Sequence, residues 1–224
     1  RVKALIPTYT PSDPLFNQQW HLASIGRLGF ALGTDFAGLE RIWADFTGDG
    51  VKVGIWDDGV EASHWDLDGN YDASMQVTID GTRNNGQPLT ASDGHGTAVA
   101  GLIAAENNGV GGVGIRIFGG ADDINSNWSR YLKTLDYLGD FDVANHSYGG
   151  SPSFYVYGDV AKFEKSAEDG RGGLGTVNVK SAGNSNIDGN GEALDASRFT
   201  VTVGALDANG QVAYYSTYGA HLLV

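Results

Sequence analysis

Three short runs carry side chains able to move a proton or hold a developing charge. Asp57 lies in Val51-Lys-Val-Gly-Ile-Trp-Asp57-Asp58-Gly59-Val60. His95 lies in Asp93-Gly-His95-Gly-Thr-Ala-Val-Ala-Gly101, and Asn184 in Ser181-Ala-Gly-Asn184. A histidine beside a carboxylate can act as a general base near neutral pH. Hydrolysis by a serine needs such a base, an orienting carboxylate, a nucleophile and donors for the oxyanion. Each residue alone also has a plain structural reading. Asp57 precedes Gly59 as a turn-forming Asp would, and Asn184 follows Gly183 where Asn tolerates a left-handed turn. His95 alone reads as a solvated residue at a helix start. It is the combination that points to chemistry.

The elements that must hold these residues are legible as punctuation and periodicity. Residues 1–22 are polar, with Pro7, Pro11 and Pro14, and read as an arm anchored by Phe16, Trp20 and Leu22. Phe36, Leu39, Ile42, Trp43 and Phe46 have helical spacing, and Gly48-Asp-Gly50 stops that helix. Apolar or β-branched runs at 51–56, 115–118, 143–145, 176–179 and 200–203 predict strands. Stretches 95–107, 128–139 and 153–169 predict helices, and 68–94 a long surface loop. Strands alternating with helices predict a three-layer α/β/α fold with a mainly parallel sheet covered on both faces. Ligands of such sheets sit off the carboxyl ends of the strands. Asp57, Ser147 and Asn184 each follow a predicted strand and share that edge.

The bulk numbers narrow the partners. The chain has 224 residues, 41% of them hydrophobic, enough for a real core. Fourteen basic against 27 acidic residues give −13 at pH 7. Such a chain is not expected to bind nucleic acid or an anionic membrane through bulk charge, but attracts Ca²⁺ or basic peptide. Solubility alone would also explain the charge. With no cysteine, disulfides and thiolate metal sites are excluded. No 18-residue apolar run exists. The N-terminus lacks the blocks of a signal peptide, and Arg1 suggests a chain cut at that end.

Together, the Asp57, His95 and Asn184 runs resemble the subtilisin-like serine proteases, and the kexin/furin branch in particular, over about residues 13–224. The resemblance implies Asp57 as the orienting carboxylate, His95 as the base and Asn184 as an oxyanion donor. It implies that Ser147-Tyr148-Gly149, in Asn145-His-Ser-Tyr-Gly-Gly150, lines the pocket for the residue before the scissile bond and pairs with substrate main chain. Asp58 would help bind a basic side chain. Calcium is implied at Asp13, Asp66 and the loop Glu106–Gly112. Its ligands would be the Asn108 side chain and the carbonyls of Ala105, Val110 and Gly112, six oxygens in all. Solvated acids and a glycine-rich turn are the plainer reading of those residues. A peptide or protein substrate, a monomer and a secreted or cell-surface location follow from the same likeness.

The sequence departs from the kexin/furin branch at several places and lacks one segment of the family. Ser92 stands where an acid would precede the His motif, and Ser147-Tyr-Gly-Gly replaces an acid-bearing segment, so a preference for paired basic residues has little support. Thr200–Leu206, with Tyr215-Ser-Thr, is closer to subtilases in general. The Gly-Thr-Ser segment expected to carry the nucleophile is nowhere in the 224 residues. Ser147 lacks a nucleophile elbow. The expectation is an arm, 1–22, and a partial catalytic domain, 23–224, incomplete at the C-terminus and inactive by itself. The competing readings are a catalytically dead, peptide-binding subtilase-like module and a nucleotide-binding domain. Against the latter, Gly109-Val-Gly-Gly-Val-Gly114 follows a helix and precedes a strand, the reverse of the required order. Asn127-Trp-Ser129 and Asn145-His-Ser147 match the glycosylation pattern, the second inside the presumed cleft. His21, His64, His146 and His221 share no ligand spacing and read as structural.

Overall fold

A computed structural model describes residues 11–22, 43, 45–83, 86–110, 120–121, 128–149 and 152–223. Its centre is a parallel sheet. Strand β1 (Val53–Trp56) is followed by a small antiparallel hairpin, β2 (Thr78–Ile79) and β3 (Thr82–Arg83). Helix α1 (His95–Ala104), strand β4 (Gly120–Ala121) and helix α2 (Trp128–Thr134) come next, with α2 tightening into a 3-10 turn at Leu135–Asp140. Strand β5 (Val143–His146), helix α3 (Gly158–Gly173), β6 (Val177–Ser181) and β7 (Val201–Val203) complete the order. The sheet runs β4-β1-β5-β6-β7, all parallel, with Trp56 opposite His146 and His146 opposite Lys180.

The strand alternation decides the layers. Ile55 points to the side of α1, packing with Val60, Leu67, Ala100 and Ala104. Trp56 points the other way, into a core of Tyr131, Leu135, Leu138, Phe141, Phe163 and Leu194 beneath α2 and α3. Its indole donates to Thr134 Oγ1 at 3.1 Å, so the polar tip of the largest core residue is satisfied. All four residues of β1 are buried, as a central strand requires. In β5, β6 and β7 the two faces differ. Ala144, His146, Asn178, Lys180 and Thr202 are buried, whereas Val143, Val179 and Val201 on the opposite face are partly exposed. The described residues thus cover β1 on both faces and the far side of the sheet mainly on one.

Boundaries shifted where local signals compete. The helix expected at 95–107 ends at Ala104, because Ala105 takes an extended ψ of 144°. The helix expected from 153 begins at Gly158, and Gly170–Gly172 leave helical geometry. The expected loop 68–94 contains the β2–β3 hairpin, whose two-residue strands are too short for an alternation signal. In the arm, Phe16 is buried against Trp43, ring centroids 6.0 Å apart, with Leu22 beside them. Trp20 is not an anchor: it is 40% exposed. The expected strand 115–118 and most of the expected helix 36–46 lie outside the described residues. No described helix is long and apolar enough to cross a membrane.

Candidate active site

Asp57 is the first residue beyond β1 and is only 5% exposed. Its Oδ1 accepts the Asp58 amide at 2.8 Å and lies 2.7 Å from His95 Nδ1. Its Oδ2 is buried with no hydrogen-bond partner among the described residues. Burial pushes the Asp57 pKa up, and the His95 and Asp58 hydrogen bonds offset this only in part. With Asp57 ionised, His95 carries its proton on Nδ1, which leaves Nε2 as the basic nitrogen. The His95 side chain is 60% exposed, so the ring is held at one nitrogen and open at the other.

Two glycines allow this approach. A Cβ on Gly96 would meet Gly59 O at 2.4 Å and Asp57 Cβ at 2.9 Å. Gly59 has φ +118°, and a Cβ there would meet Pro88 N at 2.6 Å. The segment after β1 and the first turn of α1 therefore touch through backbone. Asp58 joins them: its Oδ2 accepts His95 N at 3.1 Å and its Oδ1 accepts Gly96 N at 2.7 Å.

Asn184 is exposed just beyond β6. Gly183, at φ +98°, turns the chain, and its carbonyl accepts Thr217 N at 3.0 Å. Asn184 lines a cavity of ≈ 290 Å³ with Asn145, Ser147, Ser181, Gly183 and Ala205. Ser147 Oγ accepts Asn145 Nδ2 at 2.9 Å. Gly149 is exposed and passes close to Gly183. Tyr148 turns inward instead. Its hydroxyl lies 2.8 Å from His146 Nδ1 and 2.9 Å from Tyr131 Oη, and burial pushes its pKa well up. The Tyr148 ring thus packs toward His146 and Tyr131 rather than into the cavity that Asn184 lines. The structure joins Asp57 to His95 directly and gathers Ser147 with Asn184. The two groups stand at the carboxyl ends of β1, β5 and β6, the edge where such sheets bind ligands.

The calcium candidates converge in part. Asp13 is buried, and its Oδ1 accepts Asn108 N at 3.1 Å and Gly109 N at 3.2 Å. Its Oδ2 is buried without a hydrogen-bond partner among the described residues. Asp66 is buried as well, and its carbonyl accepts Glu106 N at 2.9 Å. Asn108 donates to Trp65 O at 3.2 Å, while its own amide oxygen accepts Val110 N at 3.1 Å. A buried carboxylate oxygen without a donor suits a cation. The arm, the segment after β1 and the loop after α1 therefore meet. Among the described residues no three acids or histidines form a metal cluster, and Gly112 lies outside them.

Composition and spacing did not announce the ion pair beneath the cleft. Lys180 and Asp195 are 2% and 3% exposed, with Nζ 2.5 Å from Oδ1. Glu192 and Asp159 lie near enough to feel the same cation. Along β6, Asn178 and Lys180 are buried while Val177 and Val179 are exposed or half-buried, the reverse of what the apolar–polar alternation of the sequence suggests. His146 is structural as expected, fully buried between Trp56 and Phe163.

A parallel three-layer sheet with a buried carboxylate gripping an exposed imidazole at its carboxyl edge defines a subtilisin-like α/β protein. Residues 48–223 match the Subtilase family, and the chain belongs to it. It is 30% identical over 224 residues to the PC3-like endoprotease variant B of Hydra vulgaris, covering 92% of this chain and 31% of that protein. It is 30% identical over 226 residues to mouse furin, covering 92% of this chain and 28% of furin. The chain thus spans about a third or less of these relatives' length. The serine protease of Aeromonas sobria, solved in complex with its chaperone, superposes with a TM-score of 0.78 at 24% identity, over 96% of this chain and 42% of that one.

Proposed function

We propose that this chain is the Asp- and His-bearing part, with the oxyanion donor, of the catalytic domain of a secreted or cell-surface serine endopeptidase. Residues 1–22 are its arm and 23–224 a partial catalytic domain, acting on peptide or protein substrates as a monomer. The observation that carries this reading is the 2.7 Å contact between Asp57 Oδ1 and His95 Nδ1, with the rest of the imidazole exposed.

The chemistry follows from that contact. Asp57 holds the Nδ1 proton and fixes the tautomer. His95 Nε2 takes the proton of an attacking serine hydroxyl as oxygen bonds to the scissile carbonyl carbon. Charge gathers on the carbonyl oxygen, and the Asn184 amide, which lines the cavity, donates to it. His95 then returns its proton to the leaving amine, the C–N bond breaks, and water repeats the cycle on the acyl-enzyme. Substrate main chain pairs along Ser147–Gly149. The attacking serine is supplied from outside these 224 residues, which contain no Gly-Thr-Ser segment.

Calcium fits the arm junction. Asp13 and Asp66, with Asn108 and the carbonyls of Ala105, Val110 and Gly112, would hold it. The ion would supply positive charge between carboxylates and tie the arm to the loop after α1. Thermal unfolding of the full-length protein with and without a chelator tests this, and an unchanged midpoint would remove calcium from the account.

The missing Gly-Thr-Ser segment is also what a catalytically dead, peptide-binding subtilase-like module would show. A fluorophosphonate probe separates the two. The full-length protein should label at one serine, its His95→Ala variant should not, and neither should the isolated 224 residues. No labelling of the full-length protein would leave the binding module standing.

A further inference from the structure

The geometry points to Asp58 as a positioning residue that clamps the main chain of His95, as Asp57 clamps its ring. The consequence for turnover rests on the endopeptidase reading; the clamp itself does not.

Helix α1 starts at the residue whose ring does the work. The first N–H groups of a helix have no partner within it and must find one elsewhere. Gly94, at the N-cap, has no side chain with which to provide one. Asp58 does so from another element. Its two oxygens accept the amides of His95, at 3.1 Å, and Gly96, at 2.7 Å. A carboxylate there also lies at the positive end of the helix. The glycine after His95 makes the clamp possible, because a Cβ on Gly96 would stand 3.1 Å from Asp58 Oδ1 and 2.4 Å from Gly59 O. Two consecutive acids at the end of β1 therefore hold one histidine at two points, and the His95 backbone cannot shift along α1 without breaking the Asp58 contacts.

This differs from the role the kexin/furin likeness implies, in which Asp58 receives a basic side chain of the substrate. A carboxylate has about four lone-pair sites, so the two roles are separated by measurement. Displacing a catalytic group by about 1 Å can cost about 10²-fold in rate, and the loss falls on turnover. Removing a contact to one substrate side chain falls instead on the substrate that has it.

The test uses the full-length protein and its Asp58→Ala and Asp58→Asn variants. Two peptides differ only in carrying Lys or Leu before the residue at the cleaved bond. For Asp58→Ala, kcat should fall by about 10- to 100-fold on both peptides, with KM within about twofold of wild type. Asp58→Asn should recover part of the loss, since its amide oxygen still accepts one N–H. A loss confined to the Lys peptide and carried by KM would overturn the proposal. Amide hydrogen exchange at His95 and Gly96 reads the clamp without catalysis. Both amides should exchange about tenfold faster in Asp58→Ala and to an intermediate degree in Asp58→Asn. Unchanged exchange would overturn the clamp whatever the kinetics. If the wild-type protein cleaves neither peptide, the endopeptidase reading fails and the exchange experiment alone decides.

Discussion

Removing Lys180 should unbalance the protein more than removing Lys180 and Asp195 together. The pair lies on the buried face of the sheet, at 2% and 3% exposure and 2.5 Å separation. Lys180 Nζ also donates to Ser181 O at 3.3 Å and lies 5.7 Å from the Tyr148 ring centroid. Around it stand Asp195, Glu192 and Asp159, three acids sharing one buried cation. Lys180→Met keeps the apolar stem and deletes the charge. Breaking a buried pair from one side costs about 3–5 kcal/mol, because the other charge is stranded, whereas replacing both partners with apolar residues is often neutral or stabilising. With a urea m-value of about 2 kcal/mol/M, the single variant's midpoint should fall by about 2 M. Lys180→Met/Asp195→Leu should lie well above the single variant.

The loss should also depend on pH. Burial already holds the Glu192 and Asp159 carboxyls above their ordinary pKa, and Lys180 opposes that rise. Without Lys180 both rise further. The native state then binds more protons than the unfolded chain above the ordinary carboxylate range, so stability drops as pH rises through that window. The deficit seen at pH 7 should therefore shrink toward about pH 5. Urea unfolding of the full-length protein followed by far-ultraviolet circular dichroism, at both pH values, measures all of this. Equal destabilisation in the single and double variants, or a single-variant loss below about 1 kcal/mol, would refute the stranded-charge argument.

Three further outcomes follow from the site. Asp57→Asn should lower kcat by about 10⁴, as loss of the orienting carboxylate does in serine hydrolases, yet leave the urea midpoint at pH 7 no lower than wild type. The reason is that burial raises the Asp57 pKa, so its ionised form weakens the fold as pH rises past the ordinary Asp value; a clear drop in the midpoint would contradict that sign. Asn184→Ala should cost about 10²–10³ in kcat with KM little changed, and a loss carried by KM would remove Asn184 from the oxyanion role. Gly96→Ala should separate His95 from Asp57, since the added Cβ meets backbone at 2.4 Å; full activity and unchanged stability in that variant would show that the contact is looser than described.

The sequence by itself determined where the chemistry sits along the chain. Asp57 and Asn184 follow short apolar runs that become β1 and β6, and His95 opens a run of small residues that becomes α1. Strand periodicity, glycine stops and helix starts are local properties, so they survive in a linear string, and they were enough to place Asp57, Ser147 and Asn184 on one edge of a parallel sheet. The tertiary structure decided which partner each side chain takes. Asp58 accepts hydrogen bonds from His95 and Gly96 across 37 and 38 residues, and nothing in its neighbours marks that choice. Tyr148 turns into the core toward His146 and Tyr131 while its main chain stays at the cleft. Lys180, an ordinary polar residue by composition, is buried because Asp195 reaches it from the loop beyond Asn184. Such pairings depend on distances set by the packing of β1, β5 and β6 against three helices. Burial then fixes their energetic sign, since a carboxylate or ammonium that is cheap in water is costly beneath a sheet unless a partner meets it there.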